Sequence, residues 1–261
     1  MDLGLAGRTA LVTGSYRGTG AGIAATLAAE GATVLVHGFE SGQAEPVAER
    51  IREGGGDARP VVGGLFDDAA AARLAEEVIS QVGHVDVLVN NYGVAERGHW
   101  FDETTDDWLS IYQKNVLSGV RLVRAFAPRM RERGFGRIIW LGTVGAVRPR
   151  ARMPHYYASK AALPNVCVSL AKELAGSGIT VNLVSPGLIA TAEVKEQLAR
   201  RAGGAGEDGG FAAGLLDNPI GRMAEIEEVA SLVAYLASDR AGAINATNLR
   251  IDGGAADCAL P

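Results

Sequence analysis

The chain has 261 residues, a formal net charge of −5, and 48 % hydrophobic against 21 % charged residues, which suits one large α/β domain with a sizeable core. The acidic balance argues against nucleic acid or an anionic membrane as the main partner, and no apolar run reaches the roughly 18 residues of a membrane span. Cys167 and Cys258 form no CxxC spacing and no leader pattern opens the chain, so a reduced, cytoplasmic protein is expected.

The first β-branched run, Thr9 to Thr13, leads into Gly14-Ser15-Tyr16-Arg17-Gly18-Thr19-Gly20 and then an Ala-rich helical run over 19–30. Further strand-like runs lie at 33–37, 58–62, 85–90, 137–141, 179–184 and 248–251. Helical spacing fills 43–54, 68–82, 105–133, 155–176 and 225–238. This repeated βαβ pattern predicts a doubly wound, seven-stranded parallel sheet with helices on both faces, in a single domain over 1–261. Pro164 predicts a kink in the 155–176 helix. A short polar helix over 192–202, followed by the Gly-rich stretch 203–210, predicts a mobile lid around 188–217.

The strand, Gly-rich turn and helix at the N-terminus form the setting that a pyrophosphate needs. Gly14 suits the turn, while Gly18 and Gly20 keep side chains away from the amides at the helix start. In a dinucleotide fold an acid at the tip of the second strand holds the ribose 2′-hydroxyl of NAD. Here that strand ends Val36-His37-Gly38-Phe39 with no acid, and Arg17 is placed to reach a 2′-phosphate. NADP(H) is therefore expected over NAD(H), with Glu40 the residue most able to reverse the preference. His37, His84, His99 and His155 show no metal-ligand spacing, and neither an HExxH nor a GxSxG is present, so no metal and no serine-hydrolase chemistry is expected.

Several motifs in order resemble those of the short-chain dehydrogenase/reductase family. Thr13-Gly14 through Gly18 and Gly20 resembles its TGxxxGxG, Asn90-Asn91-Tyr92-Gly93 its NNAG, and Tyr156 with Lys160 its YxxxK. Asn115 is similar to the Asn of the long central helix, Asn182 and Ser185-Pro186-Gly187 with Thr191 to the segment closing over the nicotinamide, and Ile251-Asp252-Gly253-Gly254 to the last strand and turn. The resemblance implies a Rossmann-like fold, a homotetramer or homodimer, and hydride transfer between a nicotinamide cofactor and a small-molecule alcohol or carbonyl. It implies catalytic roles for Tyr156, Lys160, Thr143 and Asn115, the last by holding a proton-relaying water. Cofactor contacts are implied for Gly14, Tyr16, Arg17, Gly18, Thr19, Gly20, His37, Gly38, Asn91, Gly93, Pro186, Gly187, Ile189 and Thr191, with Tyr156 and Lys160.

Lowering a phenol from near 10 to about 7 takes ~4 kcal/mol of preferential tyrosinate stabilisation, for which the ammonium of Lys160, one helical turn on, and a nicotinamide-ring cation have the right sign. Thr143 stands where the family usually has Ser, Tyr92 where it has Ala, Gly64 where Asp is common and Ala246 where Gly is frequent. The enoyl-reductase branch places its Tyr seven residues before the Lys, which here is Met153 and disfavours that branch. Arg148, Arg150, Arg152 and His155, and Glu96, Arg97, His99, Trp100 and Phe101, fall in loops that line the family's substrate mouth. This basic rim suits an anionic substrate such as a 3-oxoacyl thioester, and a solvated arginine loop accounts for it equally. Two alternatives stay open: an NAD-linked alcohol or sugar dehydrogenase, and a dinucleotide-sensing protein without chemistry.

Overall fold

A computed structural model of the chain describes residues 2–202 and 218–256. Seven parallel strands, β1 (Thr9–Val12), β2 (Thr33–Gly38), β3 (Asp57–Val62), β4 (Val87–Asn90), β5 (Gly136–Leu141), β6 (Ile179–Pro186) and β7 (Asn248–Ile251), form one sheet in the order 3-2-1-4-5-6-7. The order reverses between β1 and β4, which pair Ala10 with Val87 through Val12 with Val89. In open α/β sheets a crevice forms at the carboxyl ends of the strands flanking such a reversal.

Residues alternate between two apolar layers because side chains of a strand point to opposite faces. Val12, Val34, Val36 and Val89 face α1 (Gly18–Ala29), α2 (Glu45–Glu53) and the last helix. Leu11, Leu35, Leu88 and Ile138 face α3 (Asp68–Val82), α5 (Ser118–Arg133) and α7 (Leu163–Glu173). The central strands are buried on both faces, as crossover helices require.

The strand ends fall within two residues of their expected positions. The long helical spacing at 105–133 is divided into α4 (Thr105–Tyr112), a π turn (Gln113–Leu117) and α5. The 155–176 helix is likewise split at Ala162 into α6 (Pro154–Ala161) and α7, with Pro164 in the first turn of α7, where its missing N–H costs least. The polar helix α8 (Ala192–Ala202) is present, and the Gly-rich stretch 203–210 with the rest of the expected lid to 217 lies outside the described residues. α9 (Ile226–Ala237) packs on α1. Among the described residues no helix is long and apolar enough to cross a membrane.

Candidate active site

A cleft of about 530 Å³ opens at the carboxyl ends of β1 and β4. Gly14, Tyr16, Arg17, Gly18, Thr19 and Gly20 line it together with Asn91, Gly93, Pro186, Ile189, Thr191, Tyr156 and Lys160. Arg17 caps α1 in an extended conformation with no side-chain cap, so no side chain of the cap covers the amides of the first turn. Those amides and the positive end of the helix suit an anion. Gly14 and Gly18 have φ of +63° and +54°. At Gly20 a Cβ would lie 2.5 Å from Asn91 Nδ2 and 2.7 Å from the Gly14 carbonyl, so glycine lets the loop close on β4. Asn91 Nδ2 donates to the Thr13 carbonyl at 2.8 Å, tying β4 to the Gly-rich loop.

His37, Gly38 and Gly187, expected to touch a cofactor, do not line this cleft. His37 is fully buried. The Gly14 amide donates to its Nδ1 at 3.0 Å, which assigns the ring hydrogen to Nε2 facing the Gly63 carbonyl at 3.0 Å. Burial lowers its pKa to about 4, against a smaller raising effect of the Gly63 bond. It positions the loop from behind. Beyond Gly38, the Phe39 and Glu40 amides are taken by Gln43 Oε1. The Gly187 amide donates to Ile251, fastening the end of β6 to the last strand.

The catalytic candidates converge on the start of α6. Met153, with φ +64°, precedes the helix and its amide donates to the Gly98 carbonyl, docking the loop after β4. Lys160 is buried and donates from Nζ to the Leu141 carbonyl at 2.7 Å. Burial lowers its pKa to about 8. Burial also pushes the Tyr156 phenol up to about 12, outweighing a hydrogen bond with the Thr143 side chain. Thr143 Oγ1 accepts from the Gly145 amide at 3.2 Å and keeps its own hydrogen for another acceptor.

Asn115 sits in the π turn, and its side chain grips Val94: Oδ1 accepts from the Val94 amide at 2.7 Å, and Nδ2 donates to the Val94 carbonyl and Ser159 Oγ, each at 3.0 Å. Both amide hydrogens are thereby used, and one Oδ1 lone pair is left for any water. A Cβ on Gly93 would lie 2.8 Å from Lys160 Nζ and 2.9 Å from Asn115 Oδ1, so this glycine lets the three meet.

Seven cleft residues were not among the sequence candidates for the site: Phe39, Tyr92, Val94, Ala95, Leu141, Gly142 and Glu193. Tyr92 carried a signal as the departure from Ala. Its ring lies 4.6 Å from Phe39 and 5.7 Å from Phe66, and these two stack at 5.4 Å. Glu193 carried none. Of the expected substrate-mouth residues, His155 points inward, buried 3.9 Å from Glu103, while Trp100 is exposed and lines a smaller cavity with Arg150 and Tyr157.

Residues 14–256 match the family model described as Enoyl-(Acyl carrier protein) reductase. The chain is 36 % identical over 249 residues to the 3-oxoacyl-(acyl-carrier-protein) reductase FabG of Haemophilus influenzae, covering 95 % of this chain and 98 % of that protein. Among solved structures, L-sorbose reductase from Gluconobacter frateurii, complexed with NADPH and L-sorbose, superimposes with a TM-score of 0.92 at 31 % identity, over 99 % of this chain and 100 % of that one. A 3-oxoacyl (acyl-carrier-protein) reductase from Agrobacterium tumefaciens with NADP bound gives 0.88 at 32 % identity, over 97 % and 96 % of the two chains.

Proposed function

This chain belongs to the short-chain dehydrogenase/reductase family, oxidoreductases acting on CH–OH and C=O groups, and from that premise we propose that it is an NADP(H)-dependent enzyme reducing a ketone to a secondary alcohol, or running the reverse, with Tyr156 as general acid and base. The observation that carries the reading is one cleft holding both an α1 start with no side-chain cap, next to Arg17, and the Tyr156 and Lys160 pair. NADP(H) is favoured by Arg17, by the missing acid at the tip of β2, and by the NADPH and NADP of the two structural neighbours. Met153, seven residues before Lys160, argues for a carbonyl and against a carbon–carbon double bond as the acceptor.

When bound, NADP(H) supplies the hydride that goes to the carbonyl carbon. Negative charge then grows on the carbonyl oxygen, and Tyr156, protonated at neutral pH with its phenol near 12, gives that oxygen a proton. Thr143 donates its hydroxyl hydrogen to the same oxygen, while the Gly145 amide holds Oγ1 in place. Lys160, with a pKa near 8, is mostly cationic at pH 7 and favours the tyrosinate left behind. Asn115 fixes the Val94 backbone beside this group. The start of α8 is the described part of the lid in this reading, and two cysteines without CxxC spacing suit the cytoplasm. A homotetramer or homodimer is the assembly this reading takes.

A substrate panel should span the two chemistries of the relatives, small polar ketones such as L-sorbose and 3-oxoacyl thioesters. Titration of the protein with NADPH and NADH, followed by cofactor oxidation over that panel, tests the proposal. NADPH should bind at least about tenfold more tightly, one charge-assisted phosphate contact being enough for that factor. Tighter NADH binding would point to the NAD-linked alternative, and binding without turnover of any carbonyl to a sensing protein.

A further inference from the structure

The wall expected to meet the cofactor phosphates offers the start of α1 and Arg17, yet one carboxylate lines it too. Glu193, in the first turn of α8, is the one acidic side chain among the described residues of the cleft. It faces the Gly-rich loop across the opening: Oε1 lies 3.9 Å from the Arg17 guanidinium, and Oε2 lies 4.0 Å from where a Cβ on Gly18 would sit. The Thr191 methyl comes equally close to that point. The start of α8 thus spans the phosphate cradle, and the arginine suited to a 2′-phosphate is already engaged by an anion of the chain itself. A carboxylate has no hydrogen to offer a phosphate, and at this range it repels one.

We infer that Glu193 is a specificity-determining residue that competes with the cofactor for Arg17. It occupies the guanidinium in the free protein, yields it to the 2′-phosphate of NADP(H), and takes it back when the cofactor leaves. The inference rests on the NADP(H) reading above. Arg17 and Glu193 are 65 % and 46 % exposed, so the contact is a screened surface pair and its removal should change affinity by a modest factor. The effect is larger for NADP(H) than for NAD(H), because only the former carries the phosphate that Arg17 must be freed to meet.

Dissociation constants of NADPH and NADH for wild type, Glu193→Gln, Arg17→Met and the double variant provide the test. Glu193→Gln should bind NADPH roughly three- to tenfold more tightly at low salt and gain less for NADH. The NADPH gain should shrink at high salt, and in the Arg17→Met background it should fall to the gain seen for NADH. Unchanged NADPH affinity in Glu193→Gln overturns the inference, as does weaker binding, which would make Glu193 a ligand of the cofactor. Failure of the NADP(H) reading is distinct, since wild type would then bind neither cofactor or prefer NADH. Thermal unfolding of each free variant checks that it is folded.

Discussion

His37 is held by two hydrogen bonds that only its neutral ring can make, one accepted from the Gly14 amide and one donated to the Gly63 carbonyl. A proton on Nδ1 would set a donor against a donor. With a folded pKa near 4 against an unfolded value of 6.5, the unfolded chain takes up the proton first as pH falls. The stabilising contribution is therefore complete above about 6.5 and is lost as pH drops toward 4, by about 3 kcal/mol in all. Urea unfolding from pH 7 to 4 should show that dependence in wild type and a correspondingly shallower one in His37→Gln, which has nothing to titrate there. Equal slopes would contradict the account. His37 is legible as a residue at the tip of β2, but period-two alternation does not say that its ring turns behind the loop to the Gly14 amide and the Gly63 carbonyl. Gly20 stands out in the sequence as a place for glycine, and the structure adds Asn91 as the neighbour that a Cβ would meet. Glu193 was not legible, since its importance comes from α8 folding back across a loop some 175 residues earlier in the chain.

At the scale of elements, the strands were legible because they are short β-branched runs buried on both faces, and the helix breaks were not. The 105–133 spacing reads as one helix, and nothing in Gln113 to Leu117 announces a π turn. The turn places Asn115 against Val94, a tertiary demand that outweighs local propensity. Pro164 gave notice of the break before α7, since its ring cannot continue the hydrogen-bond ladder. The approach of α5 to β5 depends on Gly119, where a Cβ would fall 2.3 Å from the buried Trp140 ring and 2.9 Å from Asn90. Gly119→Ala gains helix propensity, yet it must push the helix off the sheet. It should destabilise by about 1–3 kcal/mol, as overpacked cores do, in chemical denaturation. A neutral or stabilised variant would show that α5 has slack against β5.

For the whole molecule, the sheet reversal between β1 and β4 gathers residues far apart in sequence, the Gly-rich loop at 14–20, Asn91 and Gly93, and Tyr156 with Lys160, around one cleft. The motifs' order along the chain made the fold and family legible. The substrate was not, because the loops at the mouth, Trp100 exposed on one and His155 buried behind the other, follow no periodic pattern. What remains decisive is whether the phenol beside Thr143 and Lys160 moves the proton. The most direct measurement is the rate of NADPH oxidation by a reducible ketone or acyl thioester for wild type and Tyr156→Phe, alongside the NADPH dissociation constant of each. Tyr156→Phe should turn over at least about 10²-fold more slowly, the usual contribution of a positioned acid, and bind NADPH as wild type does. Turnover of Tyr156→Phe close to that of wild type, with the same cofactor affinity, would contradict the assignment of the proton to this residue.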